Sequence, residues 1–164
     1  MEHLHSQYLD LSTAAQQTIL ADITRRSQIE ACGVMLGTID DAGNWIVEQV
    51  QPLTNSASSP VYFEFEPTEL LQVELTYPDQ IVGVYHSHPT GFPQASNTDR
   101  DNMRRVNQQQ NIPWVWLIIS GPFNANFLQK AQGALTAAPL IAYHHFAAEG
   151  LQRVQVCLDH SKNG

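Results

Sequence analysis

The run Ile81-Val82-Gly83-Val84-Tyr85-His86-Ser87-His88-Pro89, with Ser96 and Asp99 shortly after it, constrains the fold of this chain more than any other stretch. Its β-branched and aromatic residues mark a strand. Strand side chains alternate faces with a period of two, so His86 and His88 point the same way. Pro89 has no N–H for a ladder and stops the strand. The loop Thr90 to Ala95 carries Gly91 and Pro93, and a helix is predicted from Ser96 to about Gln110 with Asp99 in its first turn. Two imidazoles and one carboxylate thus fall where they could share one metal ion.

Zinc accepts imidazole nitrogen at about 2.0–2.1 Å in a roughly tetrahedral site, which two same-face histidines at a strand end can meet with little backbone distortion. Ser96 and Asp99 also read as a capping box, with serine at the N-cap and an acid at N3, worth roughly 1 kcal/mol of helix stability. The two roles are compatible, because a carboxylate has two oxygens and can offer one to each. Two other histidine pairs lack this framing. His3-Leu4-His5 has the same spacing but lies at a terminus expected to fray, with no acid set after it. His144 and His145 are adjacent in an expected strand and face opposite ways.

Three protein ligands leave the fourth position of a tetrahedral zinc open for water, as in catalytic sites. Two neutral imidazoles and one carboxylate leave the ion net positive, which lowers the pKa of bound water toward about 7 and polarises an approaching carbonyl. Amide hydrolysis is the natural chemistry. It needs a carboxylate base beside the water that does not ligate the metal. Glu30 is the leading candidate, since it precedes the apolar, glycine-bearing run Ala31-Cys32-Gly33-Val34-Met35-Leu36-Gly37. Glu48 and Glu64 compete, each reading as the solvent face of a strand, and spacing alone puts Glu30 only slightly ahead. A structural zinc would instead need a fourth protein ligand, for which Cys32 is the nearby thiol.

The pattern Glu30-x-Cys32-Gly33-x-x-x-Gly37, then His86-x-His88-Pro89, then Ser96-x-x-Asp99, resembles the JAMM or MPN-plus metalloprotease domain, and the order of elements matches from roughly Leu9 to Cys157. The resemblance implies a single-domain α/β fold, a mixed β-sheet flanked by helices with cytidine-deaminase-like architecture. It implies Zn2+ held by His86, His88 and Asp99, with Glu30 as general base and later proton donor, and Ser96 helping to stabilise the oxyanion. Many members have proline before the motif serine, where this chain has Ala95; no ligand is lost. The compact, insertion-free chain looks most like prokaryotic forms that act on sulfur-carrier proteins. The implied function is a zinc-dependent peptidase or isopeptidase cutting an amide at the C-terminal tail of a ubiquitin-like or sulfur-carrier protein. A catalytically silent scaffold of the same fold and a general small-peptide metallopeptidase are the alternatives. Homodimerisation is left open.

Composition narrows the partners. At 164 residues and 43% hydrophobic the chain suits one domain with a real core, here about 9–157 with a polar tail at 158–164. A net charge of −8 argues against a nucleic-acid partner. The start lacks a signal-peptide pattern and no apolar stretch approaches the ~20 residues of a membrane span, so no membrane partner is expected and the cytoplasm is the expected compartment. The two cysteines are too few for a disulfide framework.

Along the chain, a helix starting at Leu11-Ser12-Thr13 buries Ala15, Ile19, Leu20 and Ile23. Strands follow from Ala31 and from Trp45, joined by the Asp40–Asn44 turn, and then a polar loop over 55–60. Val61 to Phe65 is predicted as a short strand, and Pro67 begins a helix ending near Tyr77. Trp114 to Ile119 reads as a strand buried on both faces, its two indoles core rather than a substrate platform. The segment Gly121 to Pro139 is predicted to be irregular, and it and the 56–60 loop are the preferred substrate contacts. A hairpin of 140–147 and 151–157 completes the order.

Overall fold

The computed structural model describes residues 4–158. In chain order these form β1 (Leu4–Leu11), α1 (Thr13–Arg25), β2 (Cys32–Ile39), β3 (Trp45–Leu53), α2 (Pro67–Thr76), β4 (Ile81–His88), α3 (Asn97–Arg104) running into a π-helical turn (Arg105–Gln109), β5 (Val115–Ser120), α4 (Ala125–Ala131), a short 3-10 turn (Leu135–Ala137), β6 (Leu140–Phe146) and β7 (Gly150–Cys157). The strands lie in the spatial order β1-β3-β2-β4-β5-β6-β7, and parallel pairing of β7 with β1 closes the sheet on itself. The fold is the expected mixed α/β arrangement, and among the described residues no helix is long and apolar enough to cross a membrane.

Alternation along the central strands sends their side chains into two cores. Val115, Leu117 and Ile119 of β5 pack with Tyr85 of β4 and with Ala15, Ile19 and Ile23 of α1. Trp116 and Ile118, between them, pack with Val84 and with Met103 of α3. β5 is therefore buried on both faces, as its unbroken apolar run requires. Trp116 is core, its indole N–H donating to Asn107 Oδ1 at 3.1 Å, whereas Trp114 is only half-buried.

Four expectations are corrected. Residues 4–11 are a strand, not a frayed lead-in. Its local pattern is weak, with only Leu9 and Leu11 fully buried at its end, but pairing with β3 on one side and β7 on the other orders it. His5 accordingly stacks on Phe146 with ring centroids 4.0 Å apart; His3 lies outside the described residues. Val61 to Phe65 forms no strand, because its backbone partner is a side chain. Asn55 Nδ2 donates to the Tyr62 carbonyl and Asn55 Oδ1 accepts from the Glu64 N–H, leaving one antiparallel bridge between Asn55 and Phe65. Gly121 to Pro139 holds α4, capped where Asn124 Oδ1 accepts the Phe127 N–H at 3.1 Å. The helix predicted to about Gln110 keeps its length but changes to π geometry at Arg105. The tail after Leu158 lies outside the described residues.

A buried ion pair fixes α1 against the sheet. Asp22 is 3% exposed and accepts from Arg26 Nε and Nη2 and from the Tyr85 hydroxyl, each at 2.7 Å. Arg26 in turn donates to the carbonyls of Cys32 at the start of β2 and Leu53 at the end of β3. Gly33 lets the Tyr85 ring lie close, since a Cβ there would run into that ring and the Gln51 carbonyl. Replacing Asp22 by Asn leaves the guanidinium and one hydroxyl short of an acceptor. Asp22→Asn is expected to lower stability by about 3 kcal/mol, read from urea unfolding; a loss below 1 kcal/mol would show that the pair is not structural.

Candidate metal centre

β4 ends on the predicted histidines. His86 and His88 are buried, with their Nε2 atoms 3.2 Å apart. Pro89 ends the strand, and the loop that follows returns to it: the Phe92 carbonyl lies 2.9 Å from His88 Nδ1 and also accepts from Ser120 Oγ. At the start of α3 the capping box is present in both directions, Ser96 Oγ accepting from the Asp99 N–H and Asp99 Oδ2 accepting from the Ser96 N–H. Asp99 also faces the imidazoles, with Oδ1 3.2 Å from His86 Nε2 and Oδ2 3.1 Å from His88 Nε2. The capping box is present, and it orients the Asp99 carboxylate toward the two imidazoles.

Glu30 arrives from far away in sequence. It lies between α1 and β2, with its N–H bonded to the Ser59 carbonyl at 2.8 Å and its carbonyl accepting from Asn55 Nδ2 at 3.0 Å. The next residue is tied to β4: Ser87 Oγ accepts the Ala31 N–H at 2.8 Å, and the Ala31 carbonyl accepts the Ser87 N–H at 2.9 Å. Ser87 faces away from the histidines on either side of it, and this is what lets it bind the neighbouring segment. Glu30 Oε2 consequently sits 4.0 Å from His88 Nε2. Glu30, His86 and His88 offer ligand atoms that all lie within 4.8 Å of one another. Glu48 and Glu64 are exposed and stand apart from this cluster. Cys32 is outside it too, its thiol 3.6 Å from the Leu53 carbonyl and pushed up to about 12 by burial.

The structure thus brings together Glu30, His86, His88 and Asp99, with Ser96 adjacent. Sequence reasoning missed Asn55, Ser87 and Phe63. Asn55 looked like an ordinary loop residue, although it is 2% exposed and uses both ends of its amide. The period of two that pairs the histidines was the available signal for Ser87. Phe63 packs its ring 4.7 Å from that of His86, and only the tertiary fold shows it.

Burial dominates the electrostatics. It pushes the Glu30 carboxyl up to about 8, with His88 opposing and the Asp99 charge adding to the rise. For Asp99 burial also acts upward, but hydrogen bonds to His86 and His88 outweigh it and hold the carboxyl well below the usual range. Burial pulls His86 down despite Asp99; His88 is also pulled by burial, but its bonds to Asp99 and the Phe92 carbonyl leave it raised. Glu30 Oε1 and His86 Nδ1 have no partner among the described residues. Two imidazoles and an ionised carboxylate converging where all are buried, beside an orphaned carboxyl oxygen, form a donor set that fits a divalent cation.

This α/β fold with one buried His–His–carboxylate cluster defines a class of domain built around a candidate metal centre. A model of the prokaryotic homologs of the JAB domain matches residues 12–132, and the chain belongs to that family, within the JAMM group. It is 31% identical over 114 residues to a desampylase of Pyrococcus furiosus, covering 66% of this chain and 73% of that protein. A desampylase of Haloferax volcanii is 34% identical over 104 residues, covering 58% and 73%. The solution structure of a Desulfitobacterium hafniense protein superposes with a TM-score of 0.66 at 22% identity over 92% of both chains, a likeness of fold alone.

The raised Glu30 carboxyl has a measurable consequence in metal-free protein. Its unfolded value near 4.5 lies below its folded value near 8. It therefore favours the folded state below about pH 4.5, and that contribution is lost as pH rises through 8. In chelator, Glu30→Gln is expected to melt higher than the parent by more than about 2 °C at pH 8, with the gap closing toward pH 4.5. A gap that does not change with pH would place the carboxyl in ordinary surroundings.

Proposed function

We propose that the protein is a zinc-dependent isopeptidase or peptidase that hydrolyses an amide at the C-terminal tail of a ubiquitin-like or sulfur-carrier protein. The observation that carries this reading is the separation of the two carboxylates from the imidazoles. Ligand atoms at about 2.0–2.1 Å from a tetrahedral zinc lie about 3.3–3.4 Å from one another. His86 Nε2, His88 Nε2 and the Asp99 oxygens match that edge at 3.1–3.2 Å, and Glu30 stands beyond it at 4.0 Å. His86, His88 and Asp99 would therefore hold the ion, with Glu30 as the base beside it. The two desampylase relatives support a ubiquitin-like substrate.

When bound, the metal would supply Lewis-acid polarisation and an acidified water. The chain's own residues do the rest. Glu30 takes a proton at its carboxylate and returns it to the leaving amine; its clamped backbone fixes where that carboxylate stands. Ser96 Oγ accepts from the Asp99 N–H, which leaves its hydroxyl proton free to donate to a developing oxyanion. His88 is held in one orientation by the Phe92 carbonyl. Proline-rimmed space at Pro60, Pro89 and Pro122, about 280 Å³, adjoins the same loops and suits the amine side of the substrate.

Incubating zinc-loaded protein with ubiquitin-like and sulfur-carrier proteins carrying C-terminal extensions, with products read by mass spectrometry, should show cleavage at the end of the tail. Glu30→Gln is expected to keep one zinc per chain and lose at least about 100-fold in turnover. Asp99→Asn is expected to lose zinc and turnover together. Full turnover in Glu30→Gln, or zinc lost from it but kept by Asp99→Asn, would exchange the roles of the two acids. Cutting of short peptides but of no carrier protein would favour a general peptidase.

A further inference from the structure

A groove of about 330 Å³ opens directly beside the metal centre. Its floor includes Val84, which precedes His86 by two residues on the same face of β4, and Trp116, its register partner on β5. One wall is Phe63 and Phe65, whose rings touch each other at 5.4 Å, Phe63 also meeting the His86 ring. The other wall is α3 and the π-helical turn, with Asn102 and Arg105 facing the groove. The groove therefore lies along β4 behind His86 and along the helix that carries Asp99, joined to the candidate metal centre through Phe63, which lines it and packs against the His86 ring.

Arg105, itself exposed, is the cation of a channel lined otherwise by aromatic and aliphatic side chains and by the polar Glu64, Asn102 and Gln110. Its guanidinium has no hydrogen bond or ion pair among the described residues, while its neighbour Arg104 lies 3.9 Å from Asp101 and Arg100 sits over the Tyr143 ring. Glu64 is the acid at the groove, but it lies exposed at the rim between the two phenylalanines and does not reach Arg105. An unpaired cation facing an aromatic wall across the groove selects an anionic side chain and disfavours a cationic one.

Helix rise sets the position of that side chain. Arg105 is six residues beyond Asp99, about 9 Å along the axis at ~1.5 Å per residue. An extended peptide advances ~3.3 Å per residue, so the side chain opposite Arg105 belongs to a residue roughly three positions from the scissile carbonyl. In an isopeptide the amine side is a single lysine stem, which leaves an extended groove to the acyl side. On the isopeptidase reading above, we propose that this groove takes the extended C-terminal tail and that Arg105 selects tails with an acidic side chain about three residues before the terminal residue.

The test uses binding rather than turnover. Fluorescein-labelled peptides Ala-Phe-X-Ala-Gly-Gly, with X as Glu, Ala or Lys, are titrated with the zinc-loaded full chain and followed by anisotropy. The Glu peptide is expected to bind roughly fivefold more tightly than the Lys peptide, with Ala between. Arg105→Glu should reverse that order, and Glu64→Gln should keep it. Equal binding of all three peptides, an order unchanged by Arg105→Glu, an order set by Glu64 instead, or no binding at millimolar concentration would each overturn the proposal. Hydrolysis enters none of these readouts. Ordered binding without any carrier cleavage would remove the isopeptidase reading alone, and cleavage indifferent to the tail charge would remove only the role of Arg105.

Discussion

The reciprocal pair of hydrogen bonds between Ala31 and Ser87 is the contact on which the rest of the site depends. It joins residues 56 positions apart and extends the antiparallel ladder of β2 and β4 one step past Cys32 and His86. Glu30 Oε2 on one side of that step and His88 Nε2 on the other are thereby held 4.0 Å apart. The pairing does not stand alone: Arg26 holds the ends of β2 and β3 to α1, and Asn55 holds the backbone of Glu30. Local errors in any of these would move the Glu30 carboxyl relative to the histidines, and the chemistry proposed for it is sensitive to such shifts.

The cluster also shows how one buried pocket gives two acids opposite characters. Glu30 and Asp99 are both nearly buried. Asp99 has the Ser96 N–H and two imidazoles around it, so it is held ionised. Glu30 has one free oxygen and a distant imidazole, so burial wins and its carboxyl rises. Environments that push two carboxyls apart in this way suit one to carry charge and the other to exchange a proton, the division of roles proposed above. The same burial that makes this expensive for stability makes it useful for chemistry.

Much of the centre was legible from residue order. His86 and His88 follow from the period of two and the proline stop, and Asp99 from the serine three residues before it at a helix start. What escaped was whatever local pattern does not encode. β1 is ordered by neighbours on both sides, not by its own weak alternation. Val61 to Phe65 has strand-forming residues, but Asn55 occupies its backbone groups with an amide. α4 is short, and its cap at Asn124 is a common turn residue. The bend of α3 into a π turn lets Asn107 reach Trp116, the Trp114 carbonyl and His145, a match between elements that no single segment shows.

By itself the sequence determined the local placement of His86, His88 and Asp99, because they lie on one strand and one helix start whose geometries are set by backbone periodicity and capping within about a dozen residues. It also determined that the central strands are buried. Only the tertiary structure decided that Glu30, rather than Glu48 or Glu64, stands beside the histidines, since that depends on which strands pair and in what register. Likewise it alone placed Phe63 and Arg105 on opposite walls of one groove. Short-range order follows from bonded geometry; long-range proximity follows from packing, which acts between residues that the chain does not list together.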